Sequence, residues 1–143
     1  MPVRAITFDF WMTLFREQDR DLRHEYRAKA FCRATGAPLA DVSRALQLAH
    51  DHFFHVHVTE QRTLDPLDAV NMVCTAMDIV LAKDVARELA EIFGTAIHVY
   101  PPALIEGALD AVKAAAARCP IGIISDSGMS PGASLRKLLD DNG

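Results

Sequence analysis

With 143 residues, half of them apolar and about a quarter charged, the chain has the balance of a globular domain and not of a disordered one, and it is long enough to bury a core. A formal charge of −4 with no block of lysines or arginines argues against nucleic acid or an anionic membrane as partner and leaves a small-molecule substrate as the expected one. Cys32, Cys74 and Cys119 are odd in number, widely spaced and without a C-x-x-C pair, which predicts neither a disulfide framework nor a thiolate metal site and fits a cytoplasmic location. No apolar run approaches the roughly 18–20 residues needed to cross a bilayer, and the N-terminus lacks the basic start and cleavage site of a signal peptide.

In chain order, residues 3–10 mix β-branched and aromatic side chains in a near-continuous apolar run, the pattern of a parallel strand buried on both faces. Asp9 falls at its carboxyl end. A helix is predicted over residues 20–34, stopped near Gly36. Leu39, Val42, Leu46, Ala49, Phe53 and Val56 recur at spacings of three and four and define a second helix. Asp65 as N-cap and Pro66 in the first turn open a third, carrying Leu67, Val70, Val73, Met77 and Val80. Val85, Leu89 and Ile92 mark a fourth. Pro101-Pro102 reads as a hinge or helix start, followed by the stripe Leu104, Ala108, Leu109, Val112 and Ala116. Ile121-Gly122-Ile123-Ile124 repeats the first strand's arrangement and opens into the polar loop Ser125-Asp126-Ser127-Gly128. Ser130-Pro131 begins the last helix, with Leu135, Leu138 and Leu139 on its apolar side.

The expected architecture is an α/β core of residues 1–15 and 97–143, interrupted by an α-helical cap at residues 16–96. Two strands are few for a parallel sheet, which predicts that further strands lie beyond these residues or are borrowed from a partner copy, so a homodimer stays open.

Ligands of open parallel sheets bind beyond the carboxyl ends of the strands, where both Asp9 and Ser125 fall. A carboxylate there is either a covalent nucleophile or a plain turn cap. The succession of strand, Asp9, Thr13-Leu14, helical insertion and a strand ending in Ser125 resembles the haloacid dehalogenase superfamily of hydrolases over essentially the whole chain. The resemblance implies a Rossmann-like core, here incomplete, with an inserted cap. That family's first motif is Asp-x-Asp-x-Thr, and Asp9-Phe10-Trp11-Met12-Thr13 matches its first and last positions. Asp9 is then the implied nucleophile and Thr13 steadies its loop. Ser125 matches the strand-ending Ser or Thr of the second motif, which implies a hydrogen bond to the substrate anion; the backbone N–H groups of Asp126 and Ser127 add donors.

Trp11 stands where the family's phosphatases carry a second Asp that protonates the leaving group, and an indole has no proton to give at neutral pH. Loss of a general acid costs roughly 10²–10⁴-fold. The expected reaction is hydrolysis of a phosphate ester or acyl phosphate, with good leaving groups suffering least. The alternative is hydrolysis of the carbon–halogen bond of a 2-haloacid, because halide leaves without a proton and the dehalogenase branch also carries an aromatic residue at this position. Tyr26-Arg27-Ala28-Lys29 resembles that branch's aromatic-Arg-x-Lys segment, which implies that Arg27 holds halide or carboxylate; a solvated helix face is its plainer reading. A third reading is a catalytically dead or truncated member that acts by protein association.

Family membership implies Mg²⁺, held by the Asp9 carboxylate and the Trp11 backbone carbonyl. The family's later Lys and acidic-pair motifs find no match: Lys137 follows Ser125 too closely, and Asp140-Asp141 follows no strand. Weak Mg²⁺ binding is therefore expected, and dehalogenation needs none. His50, His52, His55 and His57 crowd one helix without the spacing of a zinc site and read as a polar cap face.

Overall fold

The structure, a computed structural model, describes residues 2–143. Strand β1 (Ile6–Asp9) is shorter than the apolar run predicts, and Val3 is 71% exposed. After it the chain folds back sharply. Met12 takes a left-handed conformation, φ 58°, the Phe15 N–H donates to the Phe10 carbonyl at 3.0 Å, and the Phe10 and Phe15 rings stack at 4.7 Å. This turn delivers β2 (Phe15–Arg16).

Four helices follow. In α1 (Arg20–Thr35), Gly36 closes the last turn at φ 73°, a conformation that costs a residue without Cβ little. Helix α2 (Leu39–Glu60) is the longest. Helix α3 (Pro66–Met77) opens with a reciprocal cap, in which the Asp68 N–H donates to Asp65 and the Asp65 N–H to Asp68 at 2.9 and 2.8 Å. It ends one residue before Asp78, which is left-handed at φ 52°. Val80 therefore lies outside the helix, contrary to its expected place on the stripe, and is 96% exposed. Helix α4 (Lys83–Val99) returns toward the sheet.

Pro101-Pro102 starts no helix. With φ fixed and no N–H to donate, the pair keeps the chain extended into β3 (Ala103–Leu104), which pairs antiparallel with β2. Leu104 belongs to this ribbon and not to the helix, since α5 (Ala108–Ala116) begins only after Gly107 at φ 79°. Strand β4 (Ile121–Ile124) and helix α6 (Gly132–Asn142) complete the chain. The result is a mixed α/β protein, mostly helical, with a small parallel sheet.

Two apolar clusters hold these elements. Phe31, Val42, Leu46, Val70, Val73, Leu89 and Phe93 join α1 to α4. Phe10, Leu14, Phe15, Ile97, Ala108, Leu135 and Leu138 form the second, under the sheet. Helix α4 serves both, and α6 docks on it closely: the buried Ser134 hydroxyl donates to the Gly94 carbonyl at 2.9 Å, and a Cβ on Gly94 would lie 3.1 Å from the Pro131 ring.

Strands β1 and β4 pair in parallel with Ile6 opposite Ile121 and Asp9 opposite Ile124. They are not buried on both faces, as the apolar run implied. Phe8 packs against the second cluster together with Val112 and Leu139, while Thr7 and Asp9 on the other face are exposed and Ile124 is 67% exposed. Only one side of the pair has a layer packed on it, so the alternation of an antiparallel sheet reappears in a parallel one. Among the described residues, no helix is long and apolar enough to cross a membrane.

Candidate functional site

Parallel pairing decides which groups meet. Because Asp9 is opposite Ile124 and paired strands lie roughly 4.8 Å apart, Ser125 leaves β4 beside the carboxyl end of β1. Asp9 is exposed; its Oδ1 accepts the Phe10 N–H at 2.7 Å, which steadies one oxygen and leaves the other open to a ligand. Ser125 is half-buried, and its hydroxyl donates to the Asp126 carbonyl at 3.3 Å, a long bond that a better acceptor displaces. Thr13 is exposed on the turn made by Met12.

Next to these strand ends opens a cleft of about 990 Å³, large for a ligand pocket. Trp11, Arg27, Asp126 and Ser127 line it, as residues expected to meet substrate; Asp9, Thr13 and Ser125 do not line it and sit beyond its Trp11 and Asp126 border. About half of its lining comes from two helices, α1 and α2, the second of which periodicity assigns to packing. Helix α1 contributes Arg20, Arg23, His24 and Arg27, and α2 contributes Leu46, His50, Phe53, Phe54 and His57.

Arg23 is the structural member of this set. It is 4% exposed, and both terminal nitrogens of its guanidinium are engaged: one donates to the Gln18 carbonyl at 2.8 Å and the Tyr100 carbonyl at 2.6 Å, and the other pairs with Glu17. Gln18 lies where the chain enters α1 and Tyr100 where it leaves α4. One side chain thus ties both crossings between helices and sheet. Burial draws its pKa below the ordinary arginine value.

Arg27, one turn further along the same face, is not on a solvated surface. It is half-buried, and its Nε donates to the Phe93 carbonyl at 3.0 Å. Its two terminal nitrogens have no partner among the described residues. Burial, and then the neighbouring Arg23 charge, lower its pKa to about 10, so it remains a cation at neutral pH. A partly desolvated cation without a counter-charge carries a desolvation cost that a bound anion would offset.

The histidines divide. His50 contacts Arg20 and its pKa is lowered, by burial first and by Arg20 next. His57 meets the Asp126 carboxylate at 3.4 Å, joining α2 to the loop after β4. His52 borders a shallow groove elsewhere on α2, with Leu48 and Met72, and His55 is exposed. So two of the four face the cleft instead of forming one polar surface. Among the described residues no three His, Cys, Asp or Glu side chains gather as a metal-holding group. The Asp9 carboxylate and the Trp11 carbonyl would supply two of the six oxygens of an octahedral Mg²⁺ site, the rest falling to water or substrate, as is usual for this ion.

No family model matches the chain, and no curated protein matches it. Among solved structures, L-2-haloacid dehalogenase from Xanthobacter autotrophicus is similar, with 13% identity over 98% of this chain and a TM-score of 0.46. The same enzyme with chloropropionic acid covalently bound is similar at 12% identity and a TM-score of 0.46, again over 98% of this chain. The chain spans 52% of each of those structures, about half their length. Likeness at this level decides nothing about the chemistry.

Proposed function

We propose that the chain is a hydrolase of the haloacid dehalogenase type that uses Asp9 as a covalent nucleophile on a small anionic molecule. The observation that carries this reading is the β1–β4 register, which sets Asp9 and Ser125 at one end of the sheet, next to a cleft lined by Arg27 with its terminal nitrogens unpaired. The Asp9-x-x-x-Thr13 spacing and the strand-ending Ser125 are the sequence support.

In the first step a free Asp9 oxygen attacks the phosphorus of a phosphate ester or acyl phosphate, and the leaving group departs with the bonding electron pair. The product is an aspartyl phosphate, which water hydrolyses to regenerate the carboxylate. The Ser125 hydroxyl and the N–H groups of Asp126 and Ser127 donate to the transferring anion. Thr13 steadies the turn that carries the nucleophile. Helices α1 and α2 wall the cleft beside the reacting atoms and limit the water there. No step passes through a metal.

Trp11 on the cleft wall supports a second reading. It supplies no proton to the leaving group, so chemistry whose leaving group needs none is favoured: acyl or aryl phosphates, or a 2-haloacid, in which Asp9 attacks the halogen-bearing carbon and halide leaves to give an ester that water hydrolyses. Dehalogenation needs no Mg²⁺.

Turnover of an aryl phosphate with and without Mg²⁺, beside turnover of a 2-haloacid without metal, separates these readings. Phosphate release alone supports the first and halide release alone the second. Turnover of neither removes the hydrolase reading and leaves association through the exposed sheet.

A further inference from the structure

The cleft is larger than a three-carbon haloacid or a bare phosphate needs, and its two walls differ in kind. On α1 the lining is charged, with Arg27 as the cation whose terminal nitrogens have no partner among the described residues, beside Arg20, Asp21 and the Arg23–Glu17 pair, whereas Phe53 and Phe54 on α2, with Trp11, Leu64 and Met129, make the other wall apolar. Phe54 is 67% exposed, and Phe53, half-buried, packs partly on the helical core cluster while also lining the cleft, so aromatic surface is presented to the cleft.

The two poles are close. Arg27, His50, Phe53 and Phe54 line the same cleft, and Arg20, on the face of α1 that carries Arg27, contacts His50. Phe53 and Phe54 follow His50 by three and four residues, on the same helix face and roughly 5 Å along the axis. An oxyanion held by the two free nitrogens of Arg27 would therefore place a flat body of one or two rings against Phe53 and Phe54. Offset or edge contacts between aromatic rings are worth roughly 0.5–1.5 kcal/mol beyond burial, and here that surface already lies open.

We propose that the cleft takes an anion with a flat apolar body, an aryl carboxylate or aryl phosphate monoester, whose head meets Arg27 and whose rings lie against Phe53 and Phe54. This rests on the hydrolase reading only in assigning the aryl phosphate monoester as substrate, the aryl carboxylate having no leaving group and serving as a binding probe; the binding site itself stands without it.

Calorimetric titration of the chain with 2-naphthoate, 2-naphthyl phosphate, acetate, inorganic phosphate and 2-naphthylmethanol tests it. The expected result is that 2-naphthoate binds at least tenfold tighter than acetate and at least tenfold tighter than the uncharged alcohol. The naphthyl phosphate arm, compared with naphthoate, tells which head the site prefers. Arg27→Met should abolish the preference of acid over alcohol. Phe54→Ser, a change at an exposed position that leaves the fold intact, should weaken naphthoate about fivefold while leaving acetate unchanged. Equal affinity for naphthoate and acetate overturns the apolar subsite, and equal affinity for naphthoate and the alcohol overturns the anion pole. Tight naphthoate binding without turnover of any phosphate or haloacid would keep this inference and remove the hydrolase reading; turnover of a short haloacid with no preference for naphthoate would do the reverse.

Discussion

The helical region and the small sheet are held together by different means. Between α1 and α4, Phe31, Val42, Val70, Val73 and Phe93 are wholly buried, whereas Ile121 and Ile123 on β4 are each 38% exposed and Ile124 is 67% exposed. In the first region side-chain packing fixes the structure, and the backbone follows from it. In the second, backbone pairing fixes where Asp9 and Ser125 emerge, and packing covers one face. Reactive groups sit where packing stops, which is where a ligand can reach them.

The contrast is sharpest when one substitution is chemical and another structural. Asp9→Asn should lower turnover roughly 10⁴–10⁶-fold, as loss of a nucleophile does, while the unfolding free energy from urea denaturation changes by no more than about 0.5 kcal/mol because the side chain is exposed. Phe93→Ala should do the opposite, costing about 3–5 kcal/mol of stability through the cavity left behind. Ile124→Ser, in the less packed region, should stay within about 0.5 kcal/mol. A comparable loss at Phe93 and Ile124 in the same denaturation series would break the comparison.

Arg23 joins the two regions. Arg23→Met removes the donor from the Gln18 and Tyr100 carbonyls and should cost about 1–3 kcal/mol, the usual range for buried acceptors left unmade. Arg23→Lys should recover part of it, since an ammonium can reach one carbonyl but has no fork. Chemical denaturation of the three proteins reads this directly.

The smallest expected effect is on acid stability. Burial and Arg20, assisted by Arg27 and His24 and opposed by Asp51, hold the His50 pKa below its ordinary 6.5. As pH falls through that value the unfolded chain takes up the proton first, so stability is full above about 6.5 and is lost below it. His50→Gln should therefore show a smaller fall in denaturation midpoint between neutral and mildly acid buffer than the parent.

The helices were legible because their signals are local: the Asp65 cap, Gly36 at the end of α1 and the three-and-four spacing of α2 each act within a few residues. The joint position of Asp9 and Ser125 was legible too, since two short apolar strands ending in polar loops place both at one end once they pair in parallel. The β2–β3 ribbon was not. Two-residue strands have no period to read, and this one forms because a Pro-Pro segment passes the folded-back turn at residues 12–15. Nor were the roles of Arg23 and His50, whose partners lie 77 and 30 residues away. Arg20, Arg23 and Arg27 share one helix face in the sequence, a pattern that reads equally as a solvated stripe until the cleft is seen.

The most direct test of the account is a peptide mass measurement on the chain quenched in acid during turnover of an aryl phosphate or a 2-haloacid. The expected result is an added phosphoryl or acyl group on the peptide that contains Asp9, absent from the Asp9→Asn protein. An adduct on another peptide, or full turnover by Asp9→Asn, would contradict the claim that this carboxylate is the nucleophile.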